Sequence, residues 1–380
     1  LPKLSFIDGV QVNDSYVFFG DGSIVTINMK IGAVTSSQSP FGSRYGFAVA
    51  GNSTDRVFVI GGYNRQADEY FSDIWHYEVF TNKWTNLTRG SSRSSTTSNF
   101  EFHPRCEHAV LYDDDKIYIF GGRYRRNFFN DLSVFYLTTK KWNILNLDIS
   151  PQPRSLHSMV MINKTIIVLG GHNQQTVFND VNVFDMNTLK WKSEMVNCST
   201  IPKRYGHRSI ALQNMIVTIG GTSDGETVQK PSVIYSDDRY TCRSFNCAGN
   251  YPFCEFIEGS FALFFDASRL NLYVYNHCSI FLVQLPQEIK HTYVCNAQSE
   301  LHGRLFHTAV SNAKRLSATI EEGDVFQSIQ SRRRMQKFGT CYAPNSRKLN
   351  AFPRSRVRMK VDQKAVALDA TKLNEKKEKE

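Results

Sequence analysis

Apolar residues in this chain fall in short runs separated by turn residues, and no repeating unit holds a stretch suited to a buried helix. Tyr16-Val17-Phe18-Phe19-Gly20 and Ser23-Ile24-Val25-Thr26-Ile27 flank a turn at Asp21-Gly22. Val57-Phe58-Val59-Ile60 runs into Gly61-Gly62, and Ile119-Phe120 into Gly121-Gly122. Runs of β-branched and aromatic residues bounded by turns predict strands. There are about four to a unit. Such a sheet is apolar on both faces, so neighbouring units must stack to bury it.

The units share a frame. Thirteen residues before Gly121 stands His108; ten after it stands Asp131, and twenty-one after it Trp142. Around Gly170 the same offsets hold His157, Asp180 and Trp191. Full repeats open at Arg44, Arg105, Arg154 and Arg204, with double glycines at 61, 121, 170 and 220. In the fourth, Lys230 replaces the Asp and Thr241 the Trp. The longer first spacing comes from Arg89–Asn99, a Ser/Thr-rich insertion read as a surface loop. Residues 5–39 and 251–300 are degenerate copies, with Asn276-His277 where Gly-Gly belongs. Arg304–Val310 restates the opening of a repeat, after which the pattern dissolves.

Arg-x-x-His, a β run into Gly-Gly, then Asp-x-x-x-Phe/Tyr and a Trp eleven residues past the Asp resembles the kelch repeat. That family, which includes the galactose oxidase-type propellers, implies an all-β fold in which each repeat is one four-stranded blade around a central channel. Six blades are expected, with seven as the alternative. The propeller is placed at residues 1–310, with strong repeats over 40–245, and a basic tail of low order at 311–380.

Charge sharpens the division. Residues 331–380 carry 15 Lys and Arg against 5 Asp and Glu, which is the whole net charge of +10. The body is neutral and has no electrostatic footprint for nucleic acid. Nucleic acid or an anionic membrane would have to be met by the tail, at Arg332-Arg333-Arg334 and Arg354–Lys360. The longest apolar runs are too short to span a bilayer. Seven of the eight Cys lie after residue 197, which is compatible with disulfides or with small buried thiols, and no CxxC pair marks a zinc site. Five N-x-Ser/Thr sequons, at Asn13, Asn52, Asn86, Asn163 and Asn197, are near the number chance supplies. The placement of Asn52 and Asn163 in hairpin turns and of Asn197 in a loop between blades favours a secreted or extracellular-facing glycoprotein, with a cytoplasmic location as the alternative.

Two sets of residues are candidates for contact with a partner. Arg44, Arg105, Arg154 and Arg204, with Arg304, occupy equivalent positions and would ring one mouth of the channel, where the resemblance places partner binding. An Arg ring suits acidic peptides; the competing role is bonding between blades. The loops after each Gly-Gly vary most. Arg123-Tyr124-Arg125-Arg126-Asn127-Phe128-Phe129 interleaves three Arg with three aromatics, the types enriched in interface hot spots. His108, His157 and His207 stand one per blade, but Phe47 holds the equivalent place in the first full repeat, which indicates packing rather than metal ligation. Glu69 and Asp73 fit part of the iron site of nitrile-specifier relatives, yet Tyr77 stands at the His position. No catalytic set, metal site or cofactor motif is found. The sequence therefore points to a non-enzymatic scaffold that binds a protein or peptide through loops on one face. The alternatives are a propeller enzyme acting on a sugar in the axial pocket, and nucleic-acid or membrane association through the tail.

Overall fold

Alternation along each strand sends successive side chains to opposite faces of its sheet, and here both faces are buried. In the computed structural model, Val57 and Val59 pack toward the unit before theirs, while Phe58 and Ile60 pack toward the unit after it. That is why the second strand of each unit reads as a continuous apolar run. The structure describes residues 7–294 apart from 21, 29, 53–54, 89–101, 193–200, 229, 237–239, 246–260, 268 and 277–278.

Six antiparallel blades result. Blade 1 is β1 (Asp8–Val12), β2 (Ser15–Gly20), β3 (Ser23–Asn28) and β4 (Val34–Gln38). Blade 2 is β5 (Ala48–Gly51), β6 (Arg56–Asn64), β7 (Glu69–Glu78) and β8 (Lys83–Asn86). Blade 3 is β9 (Ala109–Asp113), β10 (Lys116–Phe120), β13 (Leu132–Tyr136) and β14 (Lys141–Ile144), with a small hairpin, β11 (Arg123–Tyr124) and β12 (Asn127–Phe128), on its middle loop. Blade 4 is β15 (Ser158–Ile162), β16 (Thr165–Leu169), β17 (Val181–Asp185) and β18 (Lys190–Trp191). Blade 5 is β19 (Arg208–Leu212), β20 (Met215–Ile219), β23 (Ser232–Tyr235) and β24 (Cys242–Ser244), again with a hairpin, β21 (Thr222–Ser223) and β22 (Glu226–Thr227). Blade 6 shows three strands among the described residues: β25 (Phe261–Asp266), β26 (Asn271–Asn276) and β27 (Ser279–Val283). A short helix follows over residues 287–294. No helix among the described residues is long and apolar enough to cross a membrane.

The innermost strands touch in a closed circuit, β1 to β5, β9, β15, β19, β25 and back to β1. Six apolar clusters fill the six seams between blades. The late Trp of the frame serves these seams: Trp142 lies flat on Phe102 at 3.9 Å, and Trp191 packs between Phe120 and Phe184. The last seam is closed by side chains. Tyr16 Oη donates to Phe265 O at 2.8 Å, and Arg208 donates to Phe261 O at 3.1 Å and Ile7 O at 2.8 Å. Asp8 then accepts from Val49 N, carrying the link into blade 2. The described residues thus make six blades. The candidate seventh opening at Arg304–Val310, and the tail read over 311–380, lie outside the described residues. So do all the late cysteines except Cys242, and Cys106 is a buried free thiol.

Strands within a blade alternate in direction. The loops joining second to third strands therefore share one end of the propeller with the blade-to-blade connectors. That end is called the upper face here. The first-to-second and third-to-fourth turns form the lower face.

Candidate partner-binding face

Each strong repeat begins with an arginine on an upper-face connector. Arg44, Arg105 and Arg154 are buried. Nη1 donates to the first glycine of the same blade's pair, to Gly61 O at 3.1 Å, Gly121 O at 3.0 Å and Gly170 O at 2.8 Å. Both Nη atoms then grip the frame Asp: Arg105 holds Asp131 at 2.8 and 3.2 Å, Arg154 holds Asp180 at 2.6 and 2.8 Å, and Arg44 holds Asp73 likewise. The guanidinium faces lie on Phe71, Phe129 and Phe178 at 3.7, 4.2 and 4.3 Å. Planar, two-pronged pairing of this kind is what Arg does and Lys cannot. These residues corner each blade. The expectation that Arg44, Arg105, Arg154 and Arg204 present a ring of charge to a partner is corrected accordingly. They are only 0–5 % exposed and bonded to internal acceptors, so they present no ring of charge at the surface.

The histidines follow the same logic. At Gly121, φ is +63° and an added Cβ would lie 2.7 Å from His157 Cε1 and 2.8 Å from Arg154 O, both in the next blade. The double glycine is therefore a seat for the neighbouring blade's imidazole as well as a turn. Burial, reinforced by Arg105 and Arg204 beside them, holds His108 and His207 down at about 3; burial and Arg154 hold His157 well below its ordinary range. Among the described residues no group of three His, Cys, Asp or Glu is placed to hold a metal ion. Asp73, read from sequence as part of a possible iron site, has its carboxylate taken by Arg44 and Trp75, and Tyr77 Oη donates to Asn82.

Between the fixed residues sit two that vary. The residue after each Arg bridges to the residue after each Gly-Gly: Tyr45 to Tyr63, Cys106 to Arg123, Ser155 to His172 and Tyr205 to Thr222. The next residue along, Gly46, Glu107, Leu156 or Gly206, has a positive φ of 61, 59, 52 or 68°. These four are laced around the channel mouth by Glu107 N→Gly46 O, Leu156 N→Glu107 O and Gly206 N→Leu156 O, at 2.6, 3.0 and 2.8 Å. Glu107 is the side chain that stands out. Burial alone would raise its carboxyl, but the two-pronged bond from Arg123 at 2.5 and 2.6 Å, with Tyr45 Oη and Ser155, outweighs burial and lowers it. Sequence reading missed Glu107, Tyr45 and Tyr63. The available signal was their constant offset from the Arg and the Gly-Gly, combined with their change of type from repeat to repeat.

The predicted loop is found on this face and divides by role. Arg123 is committed to Glu107 and to Arg125 O. Phe128 turns inward against His172, which packs at a tilt on Tyr205 with ring centres 4.5 Å apart. Tyr124, Arg125 and Arg126 point out. Arg125 is 63 % exposed; its guanidinium lies over the Tyr124 ring at 5.8 Å and makes a long, solvated pair with Asp68 at 3.6 Å, a kind of ion pair that adds about 1 kcal/mol or less. Tyr124 continues an aromatic chain that runs from the channel mouth to the rim: Tyr45, Tyr63, Tyr70 and Tyr124, with ring centres 6.5, 4.4 and 4.8 Å apart. Arg65 lies over Tyr45 at the inner end.

Residues 6–221 match the KLHDC2/KLHL20/DRC7 Kelch-repeats domain. The chain belongs to this Kelch-repeat family. Among curated proteins, it is similar to the tRNA wybutosine-synthesizing protein 2/3/4 of Oryza sativa subsp. japonica, 30% identical over 115 residues, which is 30% of this chain and 10% of that protein. It is also similar to Tip elongation aberrant protein 3 of Schizosaccharomyces pombe, 28% identical over 87 residues, 22% of this chain and 7% of that protein. The chain spans a tenth or less of the length of these relatives. The family match stops at Gly221, the second residue of the fourth double glycine. The Kelch frame decays at the same place, where Lys230 and Thr241 replace the Asp and the Trp. Kelch propellers typically mediate protein–protein interaction.

Proposed function

We propose that this Kelch propeller is a non-enzymatic scaffold that holds a protein or peptide partner on its upper face. The contact surface consists of Tyr124, Arg125 and Arg126 of the hairpin, continued by Tyr70, Tyr63 and Tyr45. The observation that carries this is the division of labour among the arginines. Arg44, Arg105, Arg154 and Arg204 are buried in the fold, whereas Arg125 and Arg126 stand in solvent beside tyrosines in edge-on and tilted contact. Rigid aromatics with adjacent Arg are the composition of interface hot spots. The channel mouth favours a scaffold over a sugar-processing enzyme. Among the described residues lining that mouth, its carboxylate is Glu107, already neutralised by Arg123, so no pair of carboxylates converges there for acid–base work.

In a pull-down from the source cells, Tyr124→Ala/Arg125→Ala/Arg126→Ala is expected to lose the partners that the intact chain retains, while its thermal unfolding stays unchanged. Ile31→Ser/Phe80→Ser, on exposed lower-face turns, should keep them. The reverse pattern would move the contact to the lower face and overturn the assignment.

A secretory location belongs to the same reading, with disulfides among the later cysteines and glycans on the sequons. Asn13, Asn52 and Asn163 sit on first-to-second turns of the lower face, so glycans there leave the upper face open. Asn86 is half-buried in β8 and accepts from Thr88, and Asn197 lies outside the described residues. Cell-derived protein should shift to lower mass on N-glycosidase treatment. Absence of a shift would remove the sequons as support for that location.

A further inference from the structure

Blade 5 repeats the arginine module of blades 2–4 with its carboxylate missing. Arg204 is 2 % exposed, and every acceptor around it is neutral. Nε faces Pro202 O at 3.5 Å, Nη1 donates to Gly220 O at 3.2 Å, and Nη2 donates to Lys230 O at 3.0 Å and Ser232 Oγ at 3.1 Å. Lys230 stands where Asp73, Asp131 and Asp180 stand in the other repeats, and Val228 stands where Phe129 and Phe178 cover the guanidinium. Burial with no carboxylate to offset it lowers Arg204 to about 10. Asp180 lines the same cleft between blades 4 and 5, but it is taken by Arg154 and Asn182. A buried charge without a counter-charge is costly to a fold, so the cleft favours an anion.

The three intact modules show where the missing oxygens belong. The side chains of Asp73, Asp131 and Asp180 are 20, 22 and 17 % exposed, so this position opens to solvent at the upper face. The residue two beyond each Asp donates to its Oδ2: Trp75, Ser133 and Asn182. In blade 5 that residue is Ser232, whose hydroxyl accepts from Arg204 and keeps its own proton to give.

We propose that this position is a binding site for a carboxylate-sized anion, held by the Arg204 Nη1 hydrogen that Gly220 O leaves free and by the Ser232 hydroxyl, with Lys230 adding a second positive charge at the rim. A free small anion and the acidic side chain of a partner segment share this chemistry. The site does not depend on the hairpin reading above, and its test does not use those residues.

The test is thermal unfolding of the intact chain in sodium acetate against sodium chloride at equal ionic strength. The unfolding temperature should climb with acetate and level off, as binding to the folded state requires. Lys230→Asp restores the internal carboxylate, so it should unfold at a higher temperature without acetate and stop responding to it. Ser232→Ala removes one donor to a charged ligand and should raise the half-saturating acetate concentration on the order of tenfold. A short glutamate-rich peptide in place of acetate separates the sources. Saturation at lower concentration than acetate indicates a partner's side chain, and weaker binding indicates a free anion. Absence of any saturable response to acetate or peptide in the unsubstituted chain overturns the proposal, as does an equal response in Lys230→Asp.

Discussion

Acidification should unfold this propeller steeply, and His157→Phe should blunt that loss. His108 and His207 are held at about 3 and His157 well below its ordinary range, all by burial with a cation close by. In the unfolded chain each titrates near 6.5. Between those values the unfolded state binds protons that the folded state refuses, so stability falls as pH falls. The window runs from about pH 6.5 down to about 3 for His108 and His207. Each histidine contributes about 1.4 kcal/mol per pH unit there, so three acting together approach about 4 kcal/mol per unit. The propeller supplies its own control, since Phe47 occupies the equivalent place in blade 2 and is 7 % exposed. Urea unfolding at pH 7 and pH 5 would show His157→Phe losing about 2 kcal/mol less than the unsubstituted chain over that interval. Equal losses would mean that His157 is protonated within the fold.

Removing the corner of a blade should cost nearly as much. Arg154→Met leaves the Asp180 carboxylate without its two-pronged partner and Gly170 O without its donor, at a site where the guanidinium is fully enclosed. Breaking a buried pair from one side typically costs about 3–5 kcal/mol, and a value near the lower end suits an Asp that is 17 % exposed. Arg154→Lys should recover little, because an ammonium cannot span Gly170 O and both Asp180 oxygens at once. The double change Arg154→Met/Asp180→Leu should be milder than Arg154→Met alone, since no charge is then stranded. Chemical denaturation of the three variants measures this. A loss below about 1 kcal/mol for Arg154→Met would show the module to be dispensable.

Much of the architecture was legible because a repeat displays its constraints several times. The Gly-Gly pairs, the Trp and the alternating apolar runs announced blades, and Phe47 in a histidine column exposed those histidines as packing residues. Blade 6 and the closing seam were less legible. Their contacts, such as Tyr16 to Phe265 and Arg208 to Ile7, join residues more than 200 positions apart and follow no period. The arginines were the instructive error. Their column was correctly found, but a column looks the same whether its side chains point to solvent or into a seam. Burial separated Arg154 from Arg125, and nothing in the local sequence of either would have done so.

What the sequence alone determined is what recurs: strand, turn and frame residues are set by local backbone and packing requirements that each blade must meet again. What only the tertiary structure decided is what happens once. It decided that six blades close, that Glu107 is caged by Arg123 and Tyr45, that the tyrosines of two blades form one belt, and that Arg204 is buried with no carboxylate bonded to it. Each of these depends on which residues from distant parts of the chain come within a few ångströms. Burial and pairing are properties of that neighbourhood, which no single repeat contains.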